Sequence, residues 1–150
     1  MDDLTDLYQE IILSHNRRPK NEGVLEPCDC QAEGYNPLCG DRITVYAQRD
    51  EDGDRLNNVQ FLGEGCAISR ASASMMTVQM KGVTVAEAEA KIAQVVELLV
   101  GAEEPEADLE VLGDLAALIG VRKFPARIKC ATLAWHALGS ALKGDSKHEE

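Results

Sequence analysis

Hydrophobic positions along the chain change their spacing twice. Over residues 3–15, Leu4, Leu7, Tyr8, Ile11 and Ile12 recur every three or four positions behind an acidic start, which predicts an amphipathic helix. Pro19, Gly23 and Pro27 mark a loop, and beyond it the period falls to two. Residues 28–35, 41–49 and 55–62 read as strands; in the second, Ile43, Val45 and Ala47 alternate with Arg42, Thr44 and Tyr46. Glu51-Asp52-Gly53-Asp54 is a turn, so a meander of short antiparallel strands is the simplest connection.

After Gly63-Glu64-Gly65 the helical period returns. Ile68, Ala71, Met75 and Val78 predict one buried face of a helix over about 66–80, whose small Ala and Ser residues permit close packing. Val85, Ala88, Ile92, Val95 and Leu99 line another over about 84–100, and Leu112, Leu115, Leu118 and Ile119 a short one late in 101–121. The last helix opens at Pro125, where a missing N–H costs little, and Ala131, Trp135, Leu138 and Leu142 form its stripe. Residues 144–150 read as a frayed, disordered polar tail. Strands first and helices afterwards give one α+β domain over 1–150. It is a small antiparallel sheet of about three strands covered on one face by helices, with an N-terminal helix and a long C-terminal one.

Hydrophobic residues make up 45% of the 150 positions but aromatics only 4%, so the core must be aliphatic and small. Fifteen basic against 26 acidic side chains leave a net charge of −11, which argues against nucleic-acid partners and anionic membrane surfaces. No apolar run approaches the roughly 20 residues of a spanning helix. Met1-Asp2-Asp3 opens neither a basic nor an apolar signal region, so a soluble, cytoplasmic protein is expected. Gly63-Glu64-Gly65 is too short for a phosphate loop or dinucleotide fingerprint.

Five cysteines, at 28, 30, 39, 66 and 130, carry the candidate chemistry. In a reducing compartment they are not expected to be disulfides, and five cannot all pair within one chain. Cys39, Cys66 and Cys130 each fall at an element boundary marked by glycine or proline. A thiol at a helix N-terminus feels the positive end of the dipole, which favours the thiolate. Arg127 precedes Cys130 by three positions and shares its helical face, as a cation beside the sulfurs or simply a solvated arginine. Asp41 lies two beyond Cys39, and in extended chain such positions point the same way. Together Cys39, Asp41, Cys66 and Cys130 offer three sulfurs and one oxygen. That set suits tetrahedral Zn²⁺ or an iron–sulfur cluster with one non-thiolate ligand. The long gaps match no short zinc motif, so buried structural cysteines are the competing reading.

Other features divide similarly. Cys28 and Cys30 read as a redox pair, an auxiliary metal site or plain strand packing. The acidic 101–114 stretch reads as a docking face or as solvated charge. His15 and His136 read as helix residues rather than ligands, and Met75, Met76 and Met80 as core filling.

Four motifs carry a resemblance that covers nearly the whole chain: Asn36 to Asp41 (NPLCGD), Gly63 to Ser74 (GEGCAISRASAS), the stretch at 101–120, and Phe124 to Trp135 (FPARIKCATLAW). With them the chain resembles the IscU/NifU N-terminal superfamily of iron–sulfur assembly proteins, and within it the SufU branch of zinc-dependent sulfurtransferases. Two features look like that branch: Lys129 stands where scaffold-type members carry a histidine, and 101–120 is an insertion that they lack. Cys28 and Cys30 belong to neither branch's ligand set. The resemblance implies zinc held by Cys39, Asp41, Cys66 and Cys130, with iron or a cluster as a transient guest. It implies that a pyridoxal-phosphate cysteine desulfurase of the SufS type delivers persulfide sulfur to Cys39, with Arg127 alongside. That sulfur then passes to downstream iron–sulfur scaffold or acceptor proteins. Release of Cys39, while Asp41, Cys66 and Cys130 keep the ion, would free the nucleophile. The alternatives are a scaffold that builds a [2Fe–2S] or [4Fe–4S] cluster, and a purely structural zinc.

Overall fold

The alternating segment at 41–49 becomes the inner strand of the sheet. In the computed structural model, which describes residues 3–101 and 112–149, helix α1 (Asp3–Arg17) precedes strands β1 (Cys30–Asn36), β2 (Asp41–Arg49) and β3 (Leu56–Glu64). Then come α2 (Ala67–Met80), α3 (Val85–Val100), a short helical run containing α4 (Ala116–Ile119), and α5 (Pro125–Leu142). The meander pairs β1 with β2 and β2 with β3, both antiparallel. Every second residue turns to the helices: Ala32, Gly34 and Asn36 on β1, Asp41, Ile43, Val45 and Ala47 on β2, Val59 and Phe61 on β3. Helix α5 lies on that face, its Trp135 fully buried with Nε1 donating to Ser72 Oγ at 2.9 Å. An aromatic of that size buries its ring only when its N–H finds a partner, and Ser72 on α2 supplies it.

Two expectations need correction. A fourth strand, β4 (Lys147–Glu149), runs parallel to the outer edge of β1, so the sheet order is β3-β2-β1-β4. The 144–150 tail is therefore not frayed over 147–149. An exposed strand edge offers unpaired N–H and C=O groups, and the tail satisfies those of β1. Helix α2 was expected to bury one face including Val78. Instead Val78 is 52% exposed, while Ser69, Ala71 to Thr77 and Met80 are all buried. The helix is enclosed by α1, α5 and β3, and its Ala and Ser residues let these neighbours approach closely.

The remaining helices follow the sequence closely. Helix α3 starts at a capping box in which Thr84 accepts from the Glu87 N–H and the Glu87 carboxylate accepts from the Thr84 N–H. Arg122 donates to the carbonyls of Leu98 and Gly101 and so holds the end of α3. Most of the acidic 101–114 stretch lies outside the described residues. Asp114 at its end accepts a hydrogen bond from His15 at 2.7 Å, and the other ring nitrogen of His15 bonds Ser74 Oγ at 2.7 Å. His15 thus ties α1 to α2, a structural role as expected. Met75, Met76 and Met80 are core residues.

Candidate metal centre

At the α5 end of the β1–β2 hairpin, the inward register of the sheet finishes on two polar residues, Asn36 and Asp41, which face each other across the strands. Both are fully buried. Their four-residue connection carries Cys39 at its tip. Gly40 adopts φ +74°, a conformation that costs glycine little, and its N–H donates to the Asn36 carbonyl at 2.8 Å. The Leu38 N–H donates to Asn36 Oδ1 at 3.3 Å. This tight turn, not an extended i, i+2 relation, brings the Cys39 sulfur beside the Asp41 carboxylate.

Helix α5 supplies the third group. Cys130 is its sixth residue and is fully buried. The ligand atoms of Cys39, Asp41 and Cys130 lie within 4.8 Å of one another. Ligand atoms around tetrahedral zinc stand about 3.5–3.8 Å apart, so the cluster fits such an ion with small adjustments. Cys66 immediately precedes α2. Its N–H donates to Asp41 Oδ1 at 2.9 Å, and its thiol makes no cap to the helix. Its sulfur is near enough to act on Cys130 but not within 4.8 Å of all three other ligand atoms. Three of the four expected ligands are therefore clustered, and the fourth stands at the rim.

Polar neighbours orient the carboxylate and the sulfurs. Asp41 accepts from Ser69 Oγ at 3.3 Å as well as from Cys66 N–H, while Asn36 Nδ2 donates to its other oxygen at 3.3 Å and to Cys130 Sγ at 3.6 Å. Gly65 leaves the necessary room: a Cβ there would lie 2.7 Å from Asp41 Oδ1 and would overlap Ser69 Oγ. Neither Asn36 nor Ser69 stood out as functional in sequence. The available signal for Asn36 was its inward register on β1, since a polar residue at a core position needs partners.

The electrostatics differ from the thiolate-favouring environment that helix position alone suggests. Burial pushes the Cys130 thiol far above its ordinary range, and hydrogen bonding to Asp41 and Cys39 pushes it the same way. Desolvation of a fully enclosed sulfur outweighs the helix dipole, whose effect fades beyond the first turn. A cation among the donors is what would make the buried sulfur a thiolate. Arg127 sits at the mouth, exposed, with Nη1 3.8 Å from Cys39 Sγ. Cys130, then Cys66 and Cys39, hold its guanidinium more firmly protonated. Lys129 is exposed and His136 stacks on His148 with centroids 4.8 Å apart, so neither joins the cluster.

Residues 7–131 match the model of the NifU-like N-terminal domain. The zinc-dependent sulfurtransferase SufU of Bacillus subtilis is 43% identical over 146 residues, covering 97% of this chain and 94% of that protein. The iron–sulfur cluster assembly scaffold protein IscU of Streptococcus pyogenes is 41% identical, covering 93% and 85%. Among solved structures, a protein of Fervidobacterium islandicum described as an assembly scaffold for the SUF system superposes with a TM-score of 0.79. It is 36% identical, over 89% of this chain and 94% of that one.

Proposed function

Because the chain belongs to the NifU-like N-terminal domain family, we propose that it is an iron–sulfur cluster assembly protein working as a zinc-bound sulfurtransferase. Cys39, Asp41, Cys66 and Cys130 are its ligands, Cys39 accepts sulfur, and Arg127 assists. The observation that carries this reading is a division of labour among the donors. Asp41 and Cys130 are fully buried, whereas Cys39 is half-buried on a hairpin tip beside Leu38, which is 70% exposed. Two groups are placed to hold an ion, and one is placed to meet a partner.

Bound zinc would keep the buried sulfurs deprotonated at neutral pH and hold Cys39 as a thiolate. The residues themselves perform the exchange. Cys39 Sγ attacks the terminal sulfur of a persulfide on the donor protein; a bond forms to Cys39, the donor S–S bond breaks, and the donor leaves as a thiolate. Arg127, in contact with Cys39 Sγ, offsets the anionic charge that accumulates there. Asn36 and Ser69 keep Asp41 aimed at the cluster while Cys39 moves. The donor is a pyridoxal-phosphate cysteine desulfurase of the SufS type, and the second transfer delivers sulfur to a downstream iron–sulfur scaffold or acceptor protein. Free cysteines throughout suit a reducing compartment, which makes the cytoplasm the working location.

The test is alanine production by such a desulfurase, with the protein absent, zinc-loaded or zinc-stripped. Stimulation that requires zinc and disappears in Cys39→Ala is expected. A second reading, a scaffold that assembles a [2Fe–2S] or [4Fe–4S] cluster, is favoured by the 41% identity to the streptococcal scaffold protein. No zinc-dependent stimulation, together with a stable coloured cluster when iron and sulfide are supplied, would transfer the assignment to it.

A further inference from the structure

The other end of β1 carries a second sulfur group that the transfer reaction does not use. Cys28 and Cys30 are free, half-buried thiols flanking Asp29, and six residue-to-residue steps of strand separate Cys30 from Asn36, roughly 20 Å at about 3.3 Å each. The segment is pinned to the end of β2. The Asp29 N–H donates to the Ala47 carbonyl at 2.9 Å, its carboxylate accepts from the Arg49 N–H, and Gln48 Nε2 donates to the Pro27 carbonyl at 3.1 Å. In fully extended chain, Cα atoms two residues apart sit at the upper limit of the about 4.4–6.8 Å that a disulfide accepts. Here the chain bends at Asp29 before β1 begins.

Arg49 supplies the second, independent observation. Its Nη2 donates to the Leu142 carbonyl at 3.3 Å, but its Nε is buried with no acceptor within hydrogen-bonding range. Its guanidinium lies beside Cys30, where it draws the thiol toward the thiolate against the larger, opposite effect of burial. A thiolate formed at Cys30 would stand beside this charge. Among the described residues the cysteine, histidine and carboxylate donors close enough to share an ion are those of Cys39, Asp41 and Cys130, so Cys28 and Cys30 join no metal cluster there.

We propose that Cys28 and Cys30 are a reversible dithiol–disulfide pair that exchanges with small disulfides, at a site separate from the metal centre. Cys28, less embedded in the core than Cys30, attacks one sulfur of the small disulfide as a thiolate; that S–S bond breaks and one small thiol is released after taking a proton from solvent. Cys30 loses its proton to solvent beside Arg49 and attacks the Cys28 sulfur, releasing the second small thiol. Two protein thiols are oxidised and one small disulfide is reduced to two thiols. The proposal does not rest on the sulfur-transfer reading.

The experiment exposes the reduced, zinc-loaded protein to oxidised glutathione, quenches with an alkylating agent and maps peptides by mass. The expected product has lost two hydrogens within the Cys28–Cys30 peptide and retains no glutathione. Cys30→Ser should stop at a Cys28–glutathione mixed disulfide. Arg49→Met should slow ring closure about three- to tenfold, so that the mixed disulfide accumulates, and Arg49→Lys should restore most of the rate. Two thiols left reduced, or a separate glutathione kept on each, in a protein whose melting temperature is unchanged, would overturn the proposal. Failure of the metal reading registers elsewhere, as alkylation of Cys39 and Cys66 in the zinc-loaded sample.

Discussion

One strand, β1, leads to two sulfur groups built on opposite plans. At its Asn36 end, Cys39, Asp41 and Cys130 come from a hairpin tip, a strand start and a distant helix, and Asp41 and Cys130 are sealed from solvent. At its Cys30 end, the two thiols flank a single residue, both are half-buried, and a guanidinium lies beside Cys30. The first group gathers acceptors that a cation would satisfy. The second offers no third donor within reach of a shared ion among the described residues. The difference teaches that cysteine chemistry is decided by what the fold packs around the thiol: a carboxylate and further sulfurs call for a metal, whereas two thiols without further donors do not.

The largest expected effect comes from removing one thiol at each end. Cys39→Ala should abolish persulfide acceptance from the desulfurase while some metal stays bound, whereas Cys30→Ala should transfer sulfur like the unaltered protein. Equal losses in both would break the contrast. Stripping the metal with a strong chelator should expose Cys39 and Cys66 to alkylation and lower the melting temperature, while labelling of Cys28 and Cys30 stays constant; mass mapping reads both. Asn36→Ala removes a donor that orients Asp41 and Cys130, and should weaken zinc about 10- to 100-fold in a competition titration without altering Cys28 or Cys30. Gly65→Ala drives a Cβ into Ser69 Oγ and Asp41 Oδ1 and should cost about 1–3 kcal/mol in chemical denaturation, with weakened zinc binding. The smallest effect is a control remote from both groups. Thr84→Ala breaks the α3 capping box for about 1 kcal/mol and should leave zinc affinity and thiol reactivity alike unchanged.

Much of the architecture was legible because periodicity reports burial directly. The strand over 41–49 and the helices near 84–100 and from Pro125 onward appear in the structure with bounds within a residue of those expected. The misses share a cause. Val78 and the tail at 147–149 were read from local pattern, yet α2 is enclosed on several sides and β4 depends on an edge that exists only after β1 and β2 have paired. Asp41 was noticed for its nearness to Cys39 along the chain. Asn36, with the same inward register and the same cluster to serve, carried no chemical flag until the packing was in view.

The amino-acid sequence by itself determined the order of strands and helices, the aliphatic core and the three boundary cysteines, since these depend on spacing and residue type. Only tertiary structure decided that Cys130 is a buried thiol pushed up by desolvation rather than a helix-end thiolate, that Cys66 stands at the rim, and that Arg127 faces Cys39 while Arg122 holds α3. Solvent exclusion and the approach of residues nearly a hundred positions apart are properties of the packed chain, and no local pattern encodes them.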